Sequence, residues 1–266
     1  MTSGFVQVEG GRLYYEAAGD GPPLVLIHAG FLDSRMWDSQ FQLFAKTHRV
    51  VRYDVRGFGK SDRPREKFSD AADLLALVQH LNLAKVVLVG VSNGGRIALD
   101  FTVQHPEKVE KLVLVATGVH GYETGPEEDK VWEEFERKMK PQEGLVKEDK
   151  VREAVEMDVN AWAPAQSPGS REHILSIALD NSHILSNHPG KLQVSPDPPA
   201  FKRLSEIRAP TLLMIGDRDV EGMRMIIERL HGMIAGSKKV VITGADHIVN
   251  ASRPDEFNQA VYDFLD

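Results

Sequence analysis

The chain has 266 residues, enough to bury a large core as one sizeable α/β domain or as one domain carrying an insertion. Hydrophobic residues make up 42% and charged residues 27%, ordinary for a globular protein, and a net charge of −7 with no basic cluster argues against a nucleic-acid surface. The absence of cysteine excludes disulfides, a thiolate nucleophile and a cysteine-ligated metal. The first residues lack the charged region and apolar core of a signal peptide, and no apolar run is long enough to span a bilayer; a cytoplasmic protein with no membrane partner is expected.

In chain order, Phe5 to Val8 and Leu13 to Ala17 are short strands joined by a glycine turn, and Leu24 to Ile27 is the first strand buried on both faces. It runs into His28-Ala29-Gly30-Phe31. Trp37, Phe41 and Phe44 then space out a helical stripe, Val50 to Val55 reads as a strand, and Asp70 is placed to cap a helix over Ala71 to Leu81. Val86 to Val89 is a continuous β-branched run, followed by Gly90-Val91-Ser92-Asn93-Gly94 and a helix from Arg96 to Gln104. Lys111 to Ala116 is the next buried strand. Alternating buried strands and amphipathic helices predict a mostly parallel sheet covered on both faces.

The alternation breaks from about Val119 to Ser205, where only charged helical segments and a proline-rich loop occur. Three stripes stand out, on Val131, Trp132, Phe135 and Met139, on Val151, Val155 and Val159, and on Ile174, Leu175, Ala178 and Leu179. A helical cap over residues 119–205 is expected, inserted into a core domain formed by residues 1–118 and 206–266. Glu127, Glu128, Asp129, Glu133 and Glu134 are assigned to its solvated outer face. Alternation resumes with strands at Thr211 to Ile215 and Lys239 to Ile242, bringing the strands to eight, and with helices near Glu221 to Ala235 and Pro254 to Leu265.

The segment from Gly90 to Gly94 matches G-x-S-x-G, a strand turning sharply into a helix with the serine at the apex. A serine hydroxyl becomes a nucleophile only when a base takes its proton, and that base needs a carboxylate to fix its tautomer. Asp219 follows the strand at Thr211 to Ile215, and His247 follows the last strand. Both therefore leave the carboxyl edge of the sheet, where Ser92 also sits and where ligands bind in open α/β sheets. Asp217 competes with Asp219 for the carboxylate role. Asp246, adjacent to His247, is given a helix-capping or surface role. The oxyanion of a tetrahedral intermediate would be met by backbone N–H groups, one from Asn93 at the helix start and one from Gly30 or Phe31 in the loop after the first buried strand. His28 is expected to organise that loop. His48, His80, His105 and His231 fall beside helices and are assigned structural roles, whereas His120, His183 and His188 in the insertion are candidates to line a pocket. No pair of histidines has metal-ligand spacing with a supporting carboxylate.

These segments resemble the α/β-hydrolase superfamily, in its capped branch of carboxylesterases and 3-oxoadipate enol-lactonase-like enzymes. The resemblance is carried by His28-Ala29-Gly30, Met36-Trp37, Asp54 to Ser61, Gly90 to Gly95, Gly216 to Asp219 and Asp246-His247, and it spans essentially the whole chain. It implies that Asp219, the last residue of G-x-x-D, is the acid, and that Asp54 and Arg56 organise a loop. The sequence departs from the family pattern at Ala29 and at Asp246, each standing where glycine is usual. Haloalkane dehalogenases and epoxide hydrolases also resemble the chain but use an aspartate at the elbow, which Ser92 argues against.

The expectation is a serine hydrolase that cleaves a small carboxylic ester or lactone through an acyl-enzyme, with Ser92, Asp219 and His247 catalytic. Gly30, Phe31 and Asn93 would supply the oxyanion site, and Phe31, Val91 and Trp162 are candidate walls of the substrate pocket. For Trp162, packing inside the insertion is an equal alternative. No metal or organic cofactor is implied, the only partner expected is the small-molecule substrate, and a homodimer is consistent with the family. The alternatives are a carbon–carbon bond hydrolase or perhydrolase-like relative on the same triad, and a ligand-binding receptor with vestigial hydrolysis.

Overall fold

The structure, a computed structural model, describes residues 1–266. Its centre is an eight-stranded sheet in the order β1-β2-β4-β3-β5-β6-β7-β8. The strands are β1 (Thr2–Val8), β2 (Gly11–Ala18), β3 (Pro23–Ile27), β4 (Arg49–Tyr53), β5 (Val86–Val91), β6 (Val109–Val115), β7 (Thr211–Gly216) and β8 (Lys238–Ile242). β1 and β2 form an antiparallel hairpin, β2 joins β4 antiparallel, and all later pairings are parallel. The hairpin turns at Glu9-Gly10, since Val8 pairs with Gly11.

The sheet divides the apolar side chains into two cores by the two-residue period of its strands. Along β3, Val25 and Ile27 point to one side and Leu24 and Leu26 to the other. The first side is covered by α2 (Asp70–His80), α3 (Asn93–Gln104) and α8 (Glu221–Met233), through Leu74, Leu77, Ile97, Phe101, Ile226 and Leu230. The second is covered by α1 (Asp38–Phe44) and α10 (Pro254–Leu265), with Phe41, Phe44, Phe257 and Val261 facing in. α10 shows why such a segment is helical. Proline opens its first turn, Asp255 and Glu256 follow at the positive end, and Phe257, Val261 and Phe264 recur on one stripe. Trp37, with no exposed surface, stacks on Phe257 at 5.9 Å and fastens the loop after β3 to that last helix.

Between β6 and β7 lie α4 (Pro126–Met139), α5 (Pro141–Lys147), α6 (Val151–Trp162) and α7 (Pro168–Asp180). Val155 and Val159 of α6, and Ile174, Ile177 and Ala178 of α7, are continuous with the second core. The inserted helices therefore share apolar packing with the sheet domain. A short helix, α9 (Val249–Ser252), follows the last strand. No helix is long and apolar enough to cross a membrane.

Several boundaries differ from those expected. α3 starts at Asn93, because Gly94 and Gly95, which lower helix propensity on paper, are what let the first turn press against the sheet. Ser69, not Asp70, caps α2; its hydroxyl accepts from Ala72 N at 3.3 Å, while Asp70 is the first helical residue and is buried. α1 is preceded by a 3-10 turn over Ser34–Trp37. Glu128 does not lie on a solvated face: it is buried, accepts from Tyr122 and from Gly125 N at 2.8 Å, and meets Arg229 at 3.4 Å.

Candidate active site

Ser92 follows β5 and stands at the N-cap position of α3 with φ 55° and ψ −113°, a conformation that strains a residue with a side chain. Backbone bonds hold it there: Ser92 N donates to Val115 O at 2.9 Å, and Ser92 O accepts from Arg96 N at 3.0 Å and Gly118 N at 3.2 Å. The flanking glycines are a steric requirement, since a Cβ on Gly90 would run into Gly94 O, and one on Gly94 into Ile27 O. The Ser92 hydroxyl makes no capping bond to its own helix and remains free to act elsewhere.

His247 stands in the loop after β8, and only 2% of it is exposed. Its Nδ1 lies 3.1 and 3.0 Å from the two oxygens of Asp219, so the ring proton belongs on Nδ1 and the lone pair on Nε2. Asp219 is itself fixed by Val220 N, which donates to Oδ1 at 2.7 Å. Asp217, the competing carboxylate, is exposed and accepts instead from Gly244 N at 2.6 Å, which braces the turn before His247. Of the two aspartates, Asp219 is the one placed against the histidine.

The three expected oxyanion positions are adjacent. A methyl on Gly30 would come within 3.2 Å of Asn93 Cβ, so the loop after β3 and the start of α3 are in near contact. The N–H of Asn93 is the first of its helix, one of the donors that a helix leaves unpaired. Neither Gly30 N nor Phe31 N donates to a backbone carbonyl. His28 supports this loop from beneath: its Nε2 accepts from Val55 N at 2.8 Å, which leaves the proton on Nδ1 to donate to Ala29 O at 2.8 Å. The ring thus ties the loop after β3 to the one after β4. Asp54 adds a second tie, accepting from Ser34 N at 3.0 Å and Lys60 N at 2.8 Å. Arg56 is buried in a bidentate pair with Asp73 at 2.7 and 2.6 Å.

A family model described as the alpha/beta hydrolase fold matches residues 22–143. The enol-lactonase from Burkholderia xenovorans LB400 superposes with a TM-score of 0.79 at 25% identity, over 98% of this chain and 99% of that one. The bromoperoxidase from Bacillus anthracis does so with a TM-score of 0.82 at 27% identity, over 99% of each chain. The chain has the α/β-hydrolase fold. Among curated relatives, the serine hydrolase BPHL of Homo sapiens is 28% identical over 100% of this chain and 87% of that protein.

Aromatic side chains decide what surrounds the histidine. Trp162 lies on the His247 ring with centroids 4.6 Å apart, and Phe135 lies on Trp162 at 4.8 Å. Phe135 in turn lines a cleft of about 510 Å³ together with Val131, Met139, Met157 and Val220, a cleft that Trp162 does not line. Phe31 is half-buried and touches both cores, whereas Val91 has no exposed surface. Val91 therefore supports Ser92 from within the second core and does not line a pocket.

Sequence reasoning missed the charge network one turn after Ser92. Arg96 donates to Asn93 Oδ1 at 2.9 Å, Asp100 at 3.0 Å and Asp70 at 2.6 Å, and Asp100 is also 2.6 Å from His120 Nδ1. The only signal in the sequence was an arginine and an aspartate four apart on a helix, a spacing usually read as a surface pair. The other two candidate histidines of the insertion are engaged by backbone groups. His183 Nε2 pairs with Gly57 O at 2.8 Å, and His188 Nδ1 accepts from Gly190 N at 3.0 Å.

One carboxyl of the insertion carries a stability cost. Burial pushes Asp158, on α6, from 3.8 up to about 6. A raised carboxyl pKa favours the fold only while the group is protonated, so its contribution is lost as pH rises through about 6. Asp158→Asn is expected to gain on the order of 1 kcal/mol at pH 8 and nothing at pH 4, measured by chemical denaturation at both values.

Proposed function

We propose that this protein is a serine hydrolase that cleaves a small carboxylic ester or lactone through an acyl-enzyme. The observation that carries the reading is the pairing of His247 Nδ1 with both oxygens of Asp219, which reserves Nε2 as a base. Ser92 Oγ attacks the carbonyl as His247 takes its proton, and the tetrahedral oxygen is met by the N–H groups of Asn93 and of Gly30 or Phe31. His247 then returns the proton to the departing alkoxide, which in a lactone stays tethered to the acyl group. Water, deprotonated by the same imidazole, releases the acid and restores Ser92.

The likeness to an enol-lactonase and to a serine hydrolase supports the same reaction class. A carbon–carbon bond hydrolase acting on ketoacids would need a free cation to hold the substrate carboxylate. The arginine nearest the nucleophile in sequence, Arg96, is already committed to Asp70, Asp100 and Asn93. The decisive experiment treats the protein with a fluorophosphonate and maps the adduct by mass spectrometry, alongside p-nitrophenyl esters and lactones of graded chain length. A single adduct on Ser92 and a burst of p-nitrophenol are expected. No adduct, or turnover that survives complete labelling, overturns the reading.

A further inference from the structure

Asp246 stands where the family usually has glycine, and it has no exposed surface. It is not a surface residue. Its carboxylate is held by neutral donors: Ala165 N at 2.8 Å, Gln166 Nε2 at 2.8 and 3.0 Å, and Ile248 N at 3.1 Å. Burial pushes the group above the ordinary carboxylate range against the pull of these donors. A buried carboxylate is tolerated only while such donors remain in place, so the arrangement is rigid or it is lost.

Two of the three partners belong to the chain leaving α6. That chain meets the histidine loop twice more, because Trp162 O accepts from His247 N at 3.2 Å and the Trp162 indole lies on the imidazole at 4.6 Å. Gln166 is braced in turn, its Oε1 accepting from Ser170 Oγ at 2.7 Å at the start of α7. Glycine would complete the turn before His247 but could make none of these side-chain attachments.

We infer that Asp246 is a positioning residue whose carboxylate fastens the segment Trp162–Gln166 to the loop carrying His247, and so fixes the imidazole and the indole that covers it. The consequence for turnover rests on the reading of His247 as the catalytic base; the fastening itself does not. The mechanical claim is that the inserted helices and the histidine loop move as one piece.

The test compares the wild type with Asp246→Asn, Gln166→Ala and the double variant, well below their melting temperatures. Asp246→Asn is expected to lower kcat for a short p-nitrophenyl ester about 10- to 100-fold with KM changed less than about twofold, the pattern of a misplaced base. Gln166→Ala should move kcat in the same direction by less, and the double variant should fall no more than about twofold below Asp246→Asn, since both act on one linkage. A second readout needs no turnover. Acrylamide quenching of the Trp162 emission, isolated by difference against Trp162→Phe, should rise in both single variants.

Asp246→Asn with wild-type kcat and wild-type quenching overturns the inference, even if its melting temperature falls. Should Asp246→Asn not fold, Gln166→Ala decides alone, because it leaves the carboxylate and its backbone donors in place; unchanged kcat and quenching in it have the same force. Failure of the hydrolase reading looks different. The wild type would then show no Ser92-dependent turnover, while the quenching comparison would still report whether Asp246 holds Trp162.

Discussion

Ser92→Ala is expected to reduce kcat for a short p-nitrophenyl ester by about 10⁴- to 10⁶-fold, a loss of roughly 5–8 kcal/mol of transition-state stabilisation. The variant removes the attacking atom and nothing that holds the fold. The strained backbone at residue 92 is kept by main-chain bonds to Val115, Arg96 and Gly118, and the hydroxyl caps no helix. Its unfolding free energy should therefore stay within about 0.5 kcal/mol of the wild type. What activity remains would come from water attacking a carbonyl polarised by the oxyanion donors, so a small residue of turnover is compatible with the mechanism. Initial rates at matched protein concentration, with a thermal melt as control, make the measurement. Turnover within tenfold of the wild type would remove Ser92 from the chemistry.

Asp219→Asn should cost about 10⁴-fold in kcat, although the side chain keeps its size and loop. The carboxylate now accepts from His247 Nδ1 at 3.0 and 3.1 Å and from Val220 N at 2.7 Å. With an amide nitrogen facing it, Nδ1 becomes the acceptor and the ring proton moves to Nε2, where the base should be. The imidazole then stands in place with its lone pair on the wrong nitrogen. Asp217→Asn is the matched control, since Asp217 only braces Gly244 N and the amide oxygen can still accept from it. That variant should stay within about tenfold, and a reversal of the two effects would assign the acid to Asp217.

Much of the framework was legible because each strand and helix advertised its own period. The continuous apolar runs at β3, β5 and β7 could be strands buried on both faces, and the stripe on Phe257 and Val261 could be a covering helix, without knowledge of any partner. The elbow was legible for a different reason: Gly90 and Gly94 are where side chains cannot fit, and steric necessity leaves a mark in local sequence. What could not be read depended on contacts between distant segments. Asp246 and Glu128 are both acidic residues in charged or turn-like surroundings, and only the arrival of Ala165 and Gln166 at one, and Tyr122 and Arg229 at the other, makes burial tolerable. Asp70 reads as a cap in sequence because the residue that engages it, Arg96, lies on the next helix. Trp162 falls between these cases, since its apolar character was plain but its contact with His247 was not.

The order of strands across the sheet has a consequence for when the molecule becomes competent. The serine elbow rests on β3, β5 and β6, neighbours that can associate before the inserted helices are made. Asp219 and His247, the proposed acid and base, arrive just after β7 and β8, which add to the growing edge after the chain has returned from its longest excursion, and closing so long a loop is slow relative to local folding. A nascent or partly refolded chain would thus present an inert alcohol on an incomplete scaffold, and bond cleavage would switch on only when the outermost strand docks.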